Sequence, residues 1–288
     1  MGKEHKIKKR IRTVRNINQI TKAMEMTAAS KLRRSQEAAL LARTYAANAR
    51  EALARLRLLT TEKGHPLFTE RAGKSRLMIV FSSDRGLAGS YNSNIFKMLL
   101  NQLIPGLKVI VVGQKGAQFV TKLRDQVEVV GVYTNWPVNV KLTDIRPIAT
   151  TAVELFTTGQ VDHVSVLYTD FESTIRQVVR HRELLPIDPV TILPPQEISQ
   201  NLQYDTLFEP DATTVLEYIV PRLVEVQIYQ ASLEAIASEQ AMRMMAMRNA
   251  SDNAKELVEG LTLSFNSARQ AVITQQLAEI SAGAEVVS

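Results

Sequence analysis

The sequence predicts an α/β protein: a central, mainly parallel (Rossmann-like) α/β domain, with long N- and C-terminal helices paired as an antiparallel coiled coil. Three observations predict it. The stretch Ile20–Ala49 runs without a Gly or a Pro and is rich in Ala, Met and Arg, all of which tolerate or favour a helix. The stretch from Asp211 toward the end has the same texture, interrupted only by Pro221 and Gly260. Between them, short β-branched runs alternate with helical patterns. The expected division is an N-terminal coiled-coil helix over residues 1–60, the α/β domain over 70–208 and a C-terminal coiled-coil helix over 210–288.

Along the first helix an apolar stripe runs through Ile7, Ile11, Val14, Ile17, Ile20, Met24, Ala28 and Leu32, with a mean spacing near 3.6. From Leu32 the steps alternate three and four, through Ser35, Ala39, Ala42, Ala46, Ala49, Leu53 and Leu56, which is a heptad seam. Gly64 and Pro66 are expected to end the helix. In the C-terminal helix, Asp211 is the expected cap. Its seam is read through Leu216, Ile219, Leu223, Val226, Leu233, Ala237, Met244, Met247, Leu261, Phe265, Ala268 and Val272. Pro221 is expected to kink this helix or to mark its true start.

At ~1.5 Å per residue the two helices measure about 80 and 90 Å. A compact domain of this length has a radius of gyration near ~19 Å. Such helices are therefore expected to project from the α/β domain and to cover each other's seams. Ala along the seam lets two helices approach closely, giving a thin shaft.

The expected strands are Ser75–Ser83, Leu107–Gly113, Val127–Tyr133 and His163–Phe171, with a further strand in "IRQVVRHRELLPI", antiparallel at an edge. Helical patterns lie between them at "NSNIFKMLLNQLI", "KGAQFVTKLRD" and "DIRPIATTAVELFTTG". There is no internal repeat and no low-complexity tract.

Composition removes several function classes. The 288 residues contain no Cys, so disulfides, thiol catalysis and thiolate metal sites are excluded. His5, His65, His163 and His181 stand singly, without metal-pair spacing. No apolar run approaches the ~20 residues needed to cross a bilayer. The basic N-terminus lacks the apolar segment of a secretory signal and the Ser-rich extension of a transit peptide, so a bacterial-type cytoplasm is the expected location. The net charge of +6 is uneven: residues 1–57 carry 15 Lys and Arg against 4 Glu, a balance of +11, and the rest carries −5. A basic end implies an acidic partner.

Four stretches carry candidate chemistry. "SSDRGLAGSYNSNIF" follows a strand and opens a helix, where phosphate loops sit. It lacks both nucleotide-binding Gly patterns, so a structural turn is preferred. Asp84 and Asp170 each follow or end a strand, but no motif sets a nucleophile or base beside them, and turn roles are expected. "KEHKIKKRIRTVRNINQ" suits a nucleic-acid arm, a solvated helix face or a face turned toward acidic protein loops; it has no interleaved aromatic. "SEQAMRMMAMRNASDNA" clusters Met242, Met244, Met245 and Met247 as adaptable packing, with Arg243 and Arg248 among them. "ARQAVITQQLAEI" mixes a seam with polar residues that the seam does not need.

"ITKAMEMTAASKLRRSQ", "SSDRGLAGSYN", "SEQAMRMMAMRNASDNA" and "ARQAVITQQLAEI", in this order, resemble the gamma subunit of the rotary (F-type) ATP synthase, and the resemblance extends over essentially the whole chain. It implies a rotor: terminal helices forming a bent coiled coil inside a ring of alpha and beta subunits. The α/β domain then sits on the membrane-embedded c ring beside the epsilon subunit. Catalysis belongs to the beta subunits, so the resemblance implies no catalytic residue, cofactor or metal in this chain and no nucleic-acid partner. The implied place is the cytoplasmic face of a bacterial plasma membrane, with membrane association only through the c ring.

By position in the family motifs, Met24, Arg243, Arg269, Gln270 and Thr274 are implied contacts with the alpha/beta hexamer. Phe208 and Glu209 are implied contacts with the c ring. Gln276 replaces a Glu common in related sequences, and Thr206 stands where an aromatic is familiar. The small residues of "ISAGAEVV" suit a smooth bearing. The insertions of chloroplast and cyanobacterial forms are missing. Two other classes stand beside this one. A coiled-coil nucleic-acid binder explains the basic arm but not the tip motif, and an α/β enzyme explains the middle but not helices longer than its own domain.

Overall fold

The computed structural model describes residues 2–59, 66–71, 73–187 and 212–287. Helix α1 spans Gly2–Leu59, and α5, the last helix, spans Ala212–Val287. Between them lie β1 (Arg76–Phe81), α2 (Tyr91–Asn101), β2 (Leu107–Val112), α3 (Gln114–Val120), β3 (Val127–Tyr133), α4 (Leu142–Thr157), β4 (His163–Phe171) and β5 (Gln177–Leu185). The chain forms two compact units, one of Met1–Ala28 with Arg243–Ser288, the other of Ala29–Met242.

In the larger unit the strands form one sheet in the order β3-β2-β1-β4-β5. β1 lies parallel to both β2 and β4, so that Ile79 stands between Ile110 and Val166. β3 continues the parallel set and β5 closes the other edge antiparallel to β4. The apolar runs of β1, β2 and β4 are buried on both faces, as parallel strands require. Alternate residues of β1 serve two cores. Leu77, Ile79 and Phe81 join Ile148, Ala152 and Phe156 of α4 and Val220, Val224 and Ile228 of α5. Met78 and Val80 join Ile95 and Leu99 of α2.

β3 and β4 have the expected ends, and the "IRQVVRHRELLPI" strand is the antiparallel edge. α2 ends three residues before its pattern does, because Gln102 and Leu103 turn back onto the Leu99 and Leu100 carbonyls. α4 starts at Leu142, where the Asp144 carboxylate accepts the Lys141 N–H at 2.8 Å.

The α1 seam is as expected in this unit from Leu32 to Ala49: Leu32, Ser35, Ala39, Ala46 and Ala49 are buried and Ala42 is half-buried. The side chains of Leu53 and Leu56 lie outside the described residues, and Ala54, off the expected seam, is buried. It pairs with α5 antiparallel. Gln227 Nε2 donates to the Ala46 carbonyl at 2.8 Å, and Arg43 Nε donates to Glu234 Oε1 at 3.1 Å. A side chain can reach the main chain of the facing helix because Ala46 and Ala49 present only methyl groups there, against Val226. α5 itself departs from a thin shaft. From Val224 to Ala241 only Tyr229 and Glu239 are less than buried, so this stretch is a core helix on all sides. Ile219, expected on the seam, is 38% exposed. The helix begins at Ala212 and runs through Pro221, which therefore does not mark its start. The Asp211 cap lies outside the described residues.

In the smaller unit Ile11, Val14 and Ala28 of α1 are buried, and so are Met247, Ser251 and Ala254 of α5. Ser251 Oγ donates to Asn18 Oδ1 at 2.6 Å. The expected stripe fails at Ile17 and Ile20, which are 47% and 60% exposed. Alternating three- and four-residue steps from Val14 arrive at Asn18 and Thr21, whereas two successive steps of three carry Ile17 and Ile20 out of the seam. Further along α5, Leu261, Phe265, Ala268 and Val272 are half-buried, as their seam positions require.

Candidate functional site

Met24, Arg243, Arg269, Gln270 and Thr274, the residues expected to meet the alpha/beta hexamer, all fall in the smaller unit. Asn18 and Ser251 fix the level at which α1 and α5 meet there. Following the two antiparallel helices about two turns from that level sets Met24 opposite the turn that holds Arg243, so these two share one stretch of the pair. Both are half-buried. Arg269, Gln270 and Thr274 lie several turns away on α5 and are exposed. Gln270 and Thr274 are four residues apart, hence on one face. Exposed apolar residues accompany them: Leu263, Ile273, Leu277 and Ile280 on α5, Ile17, Ile20 and Met26 on α1. Phe208, Glu209 and Thr206 lie outside the described residues.

In the larger unit "SSDRGLAGSYN" is a brace. Ser82 Oγ donates to the Val112 carbonyl at 2.8 Å and accepts the Gly116 N–H at 2.9 Å. Asn92 holds Ser83, accepting its N–H at 3.1 Å and donating to its Oγ at 2.7 Å. The Asp84 carboxylate accepts N–H groups from Gln114, Asn135 and Trp136. These bonds tie the end of β1 to the loops after β2 and β3. In a sheet of this order the crevice where β1 meets β4 is the usual ligand position. Here α5 lies over those strands: Ser238 Oγ donates to the Thr169 carbonyl at 3.0 Å, and Met242 packs on the cluster of Met78, Val80 and Leu167.

Asp170 does not share a site with Asp84, nor does it serve a turn; it belongs to a charged network on β4. Arg180 Nε donates to it at 3.1 Å, and Arg43 Nη2 stands 3.6 Å away. Arg43 also donates to the Phe171 carbonyl at 2.9 Å and to Glu234, which Gln230 contacts as well. Burial, with the Asp170 carboxylate beside it, pushes Glu234 up to about 7. Asp170 is held below the usual carboxylate range: burial opposes this, but Glu234, Arg180 and Arg43 outweigh it. Sequence reading noted Asp170 and missed its partners. The available signal was a run of polar residues, Glu225, Gln227, Gln230 and Glu234, on more faces of one helix than a solvated stripe can hold.

The raised value of Glu234 has a signed consequence. A carboxyl that holds its proton more tightly folded than unfolded contributes stability fully present below the ordinary 4.5 and lost as pH rises through about 7. Glu234→Gln removes that dependence. From pH 5 to 8 the stability difference between variant and wild type is expected to move in the variant's favour, by on the order of 2 kcal/mol. Urea unfolding at the two pH values measures it, and a parallel pH response in both proteins rejects it.

Among the described residues no group of acidic or His side chains could hold a metal ion, and no helix is long and apolar enough to cross a membrane. The ATP synthase family model matches residues 3–287. ATP synthase gamma chains of Dehalococcoides mccartyi and Roseiflexus castenholzii are 42% and 41% identical to this chain, over 98% and 100% of its length and 98% and 99% of theirs. The chain belongs to the ATP synthase gamma-chain family. Among solved structures, the central stalk and c ring of the Tetrahymena thermophila mitochondrial ATP synthase includes a chain 29% identical to this one. It superposes with a TM-score of 0.63 over 81% of this chain and 99% of that one. A rotor chain of the Euglena gracilis mitochondrial enzyme, 18% identical with a TM-score of 0.65 over 94% of this chain and 99% of that one, shares the fold. The gamma-chain family thus accounts for both paired terminal helices and for the α/β domain between them.

Proposed function

We propose that this chain is the central-stalk rotor subunit of a proton-translocating F-type ATP synthase, coupling rotation of a c ring to conformational cycling of beta catalytic sites. The observation that carries the reading is the end-to-end match to gamma chains, residues 3–287. Its partners are alpha, beta and epsilon subunits and the c ring. The chain is itself non-catalytic: the Ser82–Asn92 brace directs its polar groups to its own backbone, and the chemistry belongs to beta. It lies at the cytoplasmic face of a bacterial plasma membrane, attached through the c ring. Phe208 and Glu209 contact that ring.

Met24 and Arg243 meet a beta-subunit loop at the level where the two helices pair. Arg269, Gln270 and Thr274 meet the hexamer from the exposed face of α5. A charge-assisted hydrogen bond from Arg269 is worth about 1.5–3 kcal/mol. That biases one rotary angle without locking it. Purification should give one copy of this chain per nucleotide-binding hexamer.

The direct test is Arg269→Ala with Gln270→Ala in the reconstituted complex. Both residues are exposed, so the helix pair stays folded. Proton-driven ATP synthesis is expected to fall about tenfold or the assembly to loosen correspondingly, the loss of one such bond. Wild-type synthesis with normal complex stability removes both residues from the mechanism.

A further inference from the structure

The larger unit holds a cavity of about 250 Å³ at the junction of α1, α5, β4 and β5, lined by Arg43, Arg50, Arg182, Asp170, Gln230 and Glu234. Only one of its arginines is neutralised. Arg43 is bonded to Glu234 and stands beside Asp170. Arg50 and Arg182 have no carboxylate within ion-pair distance among the described residues. Arg182 lies 5.3 Å over the Tyr168 ring, and the Arg50 Nε–H is buried with no acceptor. Burial, and after it the neighbouring Arg182, disfavour the charged form of Arg50. The Tyr168 hydroxyl is a further buried donor here without a partner, whereas the other two unsatisfied atoms, Gln230 Oε1 and Glu234 Oε2, are acceptors that do not attract an anion. Gln230 and Glu234 are themselves 2% and 3% exposed.

Arg50 and Arg182 are half-buried and lack a carboxylate partner, so they repel each other, and a negative ion between them relieves that repulsion. The fork of an arginine matches a tetrahedral oxyanion. The cavity lies below the ~300–1,000 Å³ of sites for drug-sized ligands, which selects a small anion over a nucleotide.

We propose that this cavity binds a small tetrahedral oxyanion of the inorganic phosphate class, held between Arg50 and Arg182. Glu234 then tunes the site. Arg43 and Arg50 of α1, Asp170 and Tyr168 of β4 and Arg180 and Arg182 of β5 surround it. As its proton is lost through about pH 7, the site gains a negative charge and the anion weakens.

Calorimetry and thermal melting of the full chain with inorganic phosphate, and in parallel with sulfate, test the site. Binding at about 1 mM or tighter is expected, with a rise in melting temperature. Arg50→Gln and Arg182→Gln should each weaken binding about tenfold or more. Both should melt at or above wild type in anion-free buffer, since each relieves repulsion. Arg176→Gln, whose partner is Glu172 outside the cavity, should bind as wild type does. Ala47→Asp places a carboxylate at the cavity wall without altering either arginine, and should abolish binding even if an arginine variant folds poorly. Sulfate remains the same dianion between pH 6 and 8, so its binding should strengthen toward pH 6. Absence of binding by wild type, or equal stabilisation of wild type, Arg50→Gln and Ala47→Asp, overturns the proposal and makes any anion effect nonspecific.

Discussion

Gly113→Ala will destabilise the α/β domain by about 3 kcal/mol or more, toward the upper end of single-residue effects. Gly113 follows β2 with φ +102°, a conformation that L side chains rarely adopt. A methyl group there would stand 2.3 Å from the Ser82 carbonyl oxygen and 2.6 Å from its hydroxyl. Neither neighbour is free to move. The Ser82 N–H donates to the Val112 carbonyl at 2.8 Å, its hydroxyl bridges Val112 and Gly116, and the Gly113 N–H donates to Tyr133 at 2.7 Å. Relief therefore has to break bonds across β1, β2 and β3 together. Chemical denaturation of the variant measures the loss. A change below about 1 kcal/mol, the ordinary scale of a Gly-to-Ala exchange, would mean that the loop yields at little cost.

Asp84→Ala is expected to cost about 3 kcal/mol. The carboxylate accepts the Gln114 and Asn135 N–H groups at 3.0 Å and the Trp136 N–H at 2.6 Å. Asn135 is itself at φ +56°, so its backbone is placed with Asp84 as its anchor. A hydrogen bond to a charged group contributes about 1.5–3 kcal/mol, and water recovers part of the loss because this loop is half-exposed. Asp84→Asn should lie between: its carbonyl oxygen can still accept two donors, but its amide cannot accept the third. Urea midpoints in the order wild type, Asn, Ala, at unchanged slope, support the brace. Equal stability of all three excludes it.

Much of the fold was legible, element by element. The runs 127–133 and 163–171 read as strands because β-branched residues crowd them and turn residues bound them. The small-residue seam from Leu32 to Ala49 read correctly because its heptad steps are unbroken. Ile17 and Ile20 misled because hydrophobicity there marks a surface that α5 does not cover, while the seam passes through the polar Asn18. The buried polar face of α5 was illegible for another reason. Glu234 meets Arg43 across 191 residues of sequence, and no local pattern announces so distant a neighbour. The Ser82–Asn92 brace was readable as a turn, but the backbone groups it holds lie one and two strands onward.

The apolar side chains left uncovered on the smaller unit bear on how the protein is made. Ile17, Ile20, Leu263, Leu277 and Ile280 are close to half exposed or more on a pair of helices. A freshly synthesised copy without its companions carries these groups into a crowded cell. Surfaces of this kind promote clumping of orphan chains. Production of this chain must then be matched in number to whatever covers those residues, and surplus copies should be the first material to reach inclusion bodies or proteases when expression is unbalanced.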